Sequence, residues 1–375
     1  MSTGAVAVTG MAWTTGLGAG LEPVWQALTA GRSALRRVPS ALALRSDLAA
    51  VIAEVPLDAA PALRQRVLAV TTMLRCLADA DLGADDPRIR PVLGTSFGAD
   101  LDDPPAGSLS AWAVDAASRA GLVQRPVVVT TACSSGSDAV LIARSLIRCG
   151  AAELCLCGGV DVLTAGKRLG HSTLGTMSPD GLRAFDQDHN GTLLGEGAGF
   201  LLLESLESAD RRGVRPYGYV VGAGSANEAA GAVAPDPSGA SLRLAVERAL
   251  RGGAEPNEVA VINAHGSGTP LNDMVEALTY SNLFGGAAAR PVVFATKGAF
   301  GHTLGATGAL EAIATLQALR RRQVPAVPGL ARVMPQLSLP VAAAEPAAVG
   351  AGIGLSVTLG FGGFTTCLAF AGAQR

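Results

Sequence analysis

Apolar residues along the chain fall into short continuous runs that close on small residues and then pass into longer segments with helical patterning. One run, Arg125-Pro-Val-Val-Val-Thr-Thr-Ala-Cys133, is matched by Arg290-Pro-Val-Val-Phe-Ala-Thr-Lys-Gly298, at an offset of 165 (290 − 125 = 165). Each predicts a buried strand. The segments behind them, 134–148 and 306–320, both begin with small residues, turn helical and end in arginines that suit the negative end of a helix. Val6-Ala-Val-Thr-Gly10 and Tyr217-Gly-Tyr-Val-Val-Gly222 predict a second matched pair of strands. Leu154-Cys-Leu-Cys-Gly158 and Leu355-Ser-Val-Thr-Leu-Gly360 predict a third. Apolar strands alternating with helices imply an α/β fold whose sheets are covered on both faces. The expected organisation is two similar α/β halves, residues 1–210 and 211–375, with a seam near Asp210 to Val214. Sites in such sheets gather beyond strand ends, so the two matched loops are expected to face one cleft.

Composition narrows the class. Of 375 residues 49% are hydrophobic and 16% charged, with 47 glycines, enough to bury a large core. A formal charge of −2 and 4% aromatic content offer neither a basic field nor stacking platforms for nucleic acid. Residues Met1 to Leu21 carry no charge, unlike an export signal, and no apolar run reaches the roughly 20 residues of a membrane span. A cytoplasmic enzyme is expected, with its six cysteines as free thiols. Of the 29 basic residues only Lys167 and Lys297 are lysines, and Lys297 stands in a glycine-rich loop.

Candidate chemistry centres on Cys133, at the junction of a strand and a helix, where the helix N-terminus is expected to favour the thiolate. The default for Cys76, Cys149, Cys155, Cys157 and Cys367 is a buried small hydrophobe. Cys155-x-Cys157 has no second ligand pair, so no metal is expected. His265, in Asn263-Ala-His-Gly-Ser-Gly-Thr-Pro270, and His302, in Lys297-Gly-Ala-Phe-Gly-His-Thr-Leu-Gly305, both lie in glycine-rich loops after strands. There a backbone can approach a ligand closely. His171 and His189 read as residues of polar loops without that setting.

Taken in order, Thr131-Ala-Cys-Ser-Ser-Gly136, Asn263-Ala-His-Gly-Ser-Gly-Thr269, Thr296-Lys-Gly-Ala-Phe-Gly-His302 and Gly360-Phe-Gly-Gly363 resemble the motif set of β-ketoacyl-acyl-carrier-protein synthases, Cys-His-His condensing enzymes of the thiolase-like superfamily. Arg183-Ala-Phe-Asp186 with Gly195-Glu-Gly-Ala-Gly199 is similar to a further block of that family, and the resemblance runs from Val6 to Phe370. It implies a thiolase-like fold of layered αβαβα architecture, dimeric, working without a cofactor on groups borne by an acyl carrier protein. By that analogy Cys133 carries the acyl group, and N–H groups of Cys133 and Phe361 form the oxyanion hole, Phe361 also acting as a gate. A malonyl-type extender then loses CO₂, and His265 and His302, as two neutral imidazoles, hydrogen-bond the enolate oxygen, with Lys297 and Glu311 keeping the second histidine and its surroundings in the correct charge state and orientation. Ser267 and Thr269 match hydroxyls that contact the phosphopantetheine arm, while Glu196 and Asp186 match structural carboxylates.

The chain departs from the family's pattern in the short segment between Ser96 and Cys133, a region that helps wall the acyl tunnel and the dimer seam, and in Thr365, where asparagine is usual. These departures motivate one alternative on the same fold, a non-decarboxylative acyltransferase. A second alternative is the non-catalytic chain-length partner of a ketosynthase heterodimer; such partners lack the cysteine, so Cys133 argues against it and points instead to the active half of such a ketosynthase/chain-length-factor pair. From another class, Gly94-Thr-Ser-Phe-Gly98 fits the G-x-S-x-G pattern of serine hydrolases. That pattern requires a following helix, whereas Pro104 and Pro105 come soon after it.

Overall fold

The computed structural model describes residues 4–104, 107–251, 254–286 and 290–373. Its main sheet contains ten strands along one path: β1 Val6–Thr15, β2 Ile89–Gly94, β3 Val127–Val129, β4 Leu154–Asp161, β5 Gly197–Glu204, β6 Gly218–Asn227, β7 Val259–Asn263, β8 Val292–Phe294, β9 Ile353–Gly360 and β10 Phe364–Gly372. The spatial order is β8-β7-β9-β10-β6-β1-β5-β4-β2-β3, with the short strand Gly18–Ala19 paired beside β1. Read outward from the centre, the two arms are β1-β5-β4-β2-β3 and β6-β10-β9-β7-β8. Each strand of the second arm comes five strands after its counterpart in the first. The arms join where β1 and β6 pair antiparallel, Val6 opposite Val220.

Seven helices matter for the site: α1 Pro61–Asp79, α2 Ala111–Ala120, α3 Ser135–Arg148, α4 Ala165–Thr173, α5 Ala240–Leu250, α6 Pro270–Phe284 and α7 Thr307–Arg321. Helices α3 and α7 pack on each other and touch strands of both arms; α1 and α2 cover the first arm from outside, and α5 covers the second, with α6 against it. This is the layered αβαβα arrangement. Residues Thr307 to Leu319 are buried on every side, which explains why α7 lacks the polar stripe of a surface helix.

Strands β3 and β8 are shorter than their apolar runs and lie at opposite ends of the sheet. Val127 and Val128 are only half-buried, because β3 has a neighbour on one side alone. The chain passes between arms at the end of the helix Leu206–Arg212, capped by Gly213 in the left-handed conformation. No helix among the described residues is long and apolar enough to cross a membrane.

Candidate active site

Cys133 lies in a tight turn, Ala132–Ser134, between β3 and α3, and Ala132 is held at φ +52°. Asp138, in the first turn of α3, fixes that turn. Its carboxylate accepts the hydroxyls of Thr131 (2.6 Å), Ser134 (2.8 Å) and Thr366 (2.5 Å). The thiol is 4% exposed, and burial pushes it up to about 11, against the opposing pull of Lys297 and of the Phe361 N–H that hydrogen-bonds to it. The expected thiolate preference is therefore reversed. A helix terminus contributes typically about 0.3–1 kcal/mol, less than the ~1.4 kcal/mol of one pKa unit, and burial outweighs it.

His302 follows Gly301, whose φ of +73° and close approach to Leu194 admit no side chain: a Cβ there would stand 2.7 Å from the Leu194 carbonyl oxygen. The histidine backbone is tied to the segment ahead of β5 through His302 N–H to the Leu193 carbonyl (2.7 Å) and Gly195 N–H to the His302 carbonyl (2.9 Å). Its Nδ1 accepts the Leu304 N–H at 3.2 Å and lies 3.0 Å from Thr307 Oγ1. With Nδ1 an acceptor, the neutral ring carries its proton on Nε2.

His265 is held from two sides. Glu276 on α6 accepts the N–H groups of His265 (2.8 Å) and Gly266 (2.7 Å). Lys297 Nζ donates to the His265 carbonyl, lies 3.3 Å from Nδ1 and pairs with Glu311 at 2.5 Å. A lysine donor at Nδ1 again leaves the proton on Nε2. Burial holds both imidazoles well below the usual histidine range, reinforced by Lys297. The two rings stand edge to face, 5.2 Å between centroids. Burial also pushes Glu311 up, and the Lys297 ammonium paired with it pulls it back.

One cavity of about 370 Å³ is lined by Cys133, His265, His302, Ser267, Thr269, Phe361 and Thr365. Ser267 and Thr269 share a hydroxyl contact of 2.9 Å in its wall. Lys297 and Glu311 lie behind His265, fully buried, and do not line it. No described residue between Ser96 and Cys133 lines this cavity. Phe97 and Leu101 instead face outward, 43% and 47% exposed.

Sequence reading missed His171. It sits on α4, not in a polar loop, is 8% exposed, and enters the cavity with its ring stacked on Phe361. Asp161, at the end of β4, was also missed. Its Oδ2 accepts the N–H groups of Ser96 (2.9 Å) and Gly305 (2.9 Å), joining the loops that flank the site. A carboxylate at a strand end beside a glycine pair, Gly158-Gly159, was the available signal for it.

The hydrolase alternative falls because a turn follows Ser96 where a helix is required; the Ser96 hydroxyl donates to Asp161 at 2.5 Å. Pro104 is among the described residues and Pro105 lies outside them. Cys76, Cys155, Cys157 and Cys367 are buried as expected; Cys149, at the C-terminal cap of α3, is exposed because the helix ends at the surface. Glu196 pairs with buried Arg64, and Asp186 accepts the N–H groups of Ala331 and Arg332.

Models of the beta-ketoacyl synthase N-terminal and C-terminal domains match residues 3–209 and 217–331. The 3-oxoacyl-[acyl-carrier-protein] synthase 2 of Mycobacterium bovis is 35% identical over 275 residues, 71% of this chain and 64% of that protein. Its namesake from Synechocystis is 37% identical over 248 residues, 64% of this chain and 60% of that protein. The chain thus spans less than two thirds of the length of these relatives. A beta-ketoacyl synthase from Burkholderia phymatum shares the fold with a TM-score of 0.88 at 30% identity, both chains covered in full. The ishigamide ketosynthase/chain length factor gives 0.87 at 29% identity, with 99% of each chain covered.

Proposed function

Because the chain belongs to the beta-ketoacyl synthase family, we propose that it catalyses decarboxylative Claisen condensation of a Cys133-bound acyl group with a malonyl-type extender on an acyl carrier protein, in fatty-acid or polyketide synthesis. The observation that carries this reading is the convergence of one buried thiol and two neutral imidazoles on a single cavity, each ring with its Nδ1 engaged and its Nε2–H free to donate.

In the first half-reaction the Cys133 sulfur attacks the acyl thioester of the carrier. The Cys133 and Phe361 N–H groups hold the oxyanion, and the carrier thiol leaves with the proton that Cys133 gives up. In the second half-reaction the extender loses CO₂ and leaves an enolate, whose oxygen accepts hydrogen bonds from the Nε2–H of His265 and of His302. Its carbon attacks the acyl-enzyme carbonyl, sulfur departs, and a β-ketoacyl thioester remains on the carrier. Lys297, paired with Glu311, acts through His265 by occupying its Nδ1. Ser267, Thr269 and Thr365 line the approach of the phosphopantetheine arm.

The same reading makes residues 1–210 the half that supplies the nucleophile and 211–375 the half that supplies both histidines. It assigns the chain to a cytoplasmic homodimer, or a heterodimer with a related subunit. The half-paired strand β3 and the outward Phe97 and Leu101 support such an interface.

Intact-mass measurement with acyl- and malonyl-carrier proteins tests the proposal. Wild type should gain one acyl group, Cys133→Ala none, and His302→Ala should load acyl yet form no extended product and release no CO₂. Loading at Cys133 without extension from any malonyl donor would replace this proposal with the acyltransferase alternative.

A further inference from the structure

Phe361, whose N–H reaches the Cys133 sulfur, is followed by Gly362 and Gly363 at φ +81° and +80°, and the backbone there is tied by Gly362 N–H to the Ala232 carbonyl (2.8 Å), Asn227 Nδ2 to the Gly362 carbonyl (3.0 Å) and Glu228 N–H to the Gly363 carbonyl (3.1 Å). These bonds fix the backbone and not the phenyl ring. The phenyl ring nevertheless has a fixed partner in His171, at 5.3 Å between centroids and 23° between planes, an offset-stacked geometry. His171 is itself pinned. Its Nδ1 lies 3.0 Å from Thr176 Oγ1, which also lies within hydrogen-bonding distance of the His171 carbonyl, at 3.1 Å, and the Thr176 N–H donates to that same carbonyl at 3.2 Å. Thr176 is tied in turn to Thr192 N–H through its own carbonyl, at 2.8 Å. All three side chains line the cavity that holds Cys133.

From this chain of contacts we infer that His171 is the latch of the Phe361 gate. It is a positioning residue: through the stack it holds the phenyl in the closed position. An incoming acyl group must break the His171–Phe361 stack to reach the thiol. The burial that holds His171 down to about 4 keeps the latch uncharged across the physiological range. The inference rests on Phe361 acting as the gate, as the family resemblance implies, and needs no assumption about the extender.

Access to Cys133 can be read without any carrier protein by alkylation with iodoacetamide, quantified peptide by peptide, with exposed Cys149 as the internal reference. The variants are His171→Ala, which removes the stack, and His171→Phe, which keeps a ring but no Nδ1. A stack of ordinary strength holds a population ratio of about two- to tenfold. His171→Ala should raise Cys133 labelling relative to Cys149 by about that factor, and His171→Phe should restore it to within about twofold of wild type. Equal labelling of Cys133 in wild type and His171→Ala would overturn the latch, as would a rise in His171→Phe as large as in His171→Ala. Should His171→Ala not fold, His171→Leu takes its place: it keeps most of the bulk but removes the aromatic stack, and should raise labelling by the same factor, while a wild-type value would overturn the inference. Loss of condensation in an otherwise normally labelled protein would count against the function proposed above and leave the latch standing.

Discussion

At the scale of single residues, the Lys297–Glu311 pair separates catalysis from stability. Both side chains are wholly buried, and Lys297 Nζ reaches the carbonyl and Nδ1 of His265 as well as the carboxylate. Removing one partner strands a buried charge, which costs about 3–5 kcal/mol, whereas removing both with apolar groups of similar volume is often close to neutral. Lys297→Met should therefore lower unfolding stability by several kcal/mol, and Lys297→Met/Glu311→Leu should recover most of it in urea denaturation. Activity should follow a different course. In both variants His265 Nδ1 loses its donor and the tautomer is no longer fixed, so condensation should stay at least about tenfold below wild type even where stability returns. Recovery of condensation in the double variant would reduce the pair to a structural role.

At the scale of elements, the two central helices are built alike. Ala132 and Leu304 share a positive φ, each opens a tight turn, and each turn leads into a buried helix, α3 or α7, at an offset of 172 (304 − 132 = 172). The small residues at both helix starts are there because the helices meet at that point. A Cβ on Gly136 would stand 2.9 Å from the Ala309 N, and one on Gly308 would stand 1.9 Å from Ser137 Oγ, a hydroxyl already engaged with Thr358 at 2.8 Å. Gly308→Ala should cost about 1–3 kcal/mol by overpacking, and it should lower condensation because the Cys133 and His302 loops lead into the two displaced helices. Gly350→Ala, with nothing within 4 Å, should do neither; thermal unfolding and turnover measured side by side check both. The duplicated pattern was legible in the sequence because strand, small-residue turn and helix are local signals, and Cys133, His265 and His302 stand at those signals. His171 was not legible. Its partner lies 190 positions away (361 − 171 = 190), and α4 presents no motif that announces a cavity. The state of Cys133 was misread for a related reason: the helix end is visible locally, whereas the burial that overrides it is made by distant elements.

At the scale of the whole molecule, the proposed function divides the chemistry between the two arms of the sheet. Gly305 occupies in the second half the place that Cys133 holds in the first, so on that proposal the first half supplies the nucleophile and the second the histidines. Placing His265 and His302 between the arms keeps them neutral, which is the state in which Nε2 can donate to an enolate. That placement has a consequence for the stability of the entire fold. Both folded-state pKa values lie well below the ordinary histidine value of 6.5. As pH falls through that value the unfolded chain takes up a proton at each of these histidines that the folded chain refuses. Stability rises with pH wherever the unfolded state binds more protons, so each of them lowers stability below about pH 6.5. Each contributes a limiting slope of about 1.4 kcal/mol per pH unit, added to that of His171 and His189, which are also held low, and opposed by Asp273, Glu276 and Glu311, which burial holds high. Urea unfolding of wild type and of His302→Gln, which keeps a neutral donor but cannot protonate, isolates one such slope: between pH 7.5 and pH 5 the variant should lose about 2 kcal/mol less than wild type. An unchanged pH dependence in His302→Gln would mean that His302 titrates in the folded protein as it does in water, and the neutral-donor account of the enolate step would have to be abandoned.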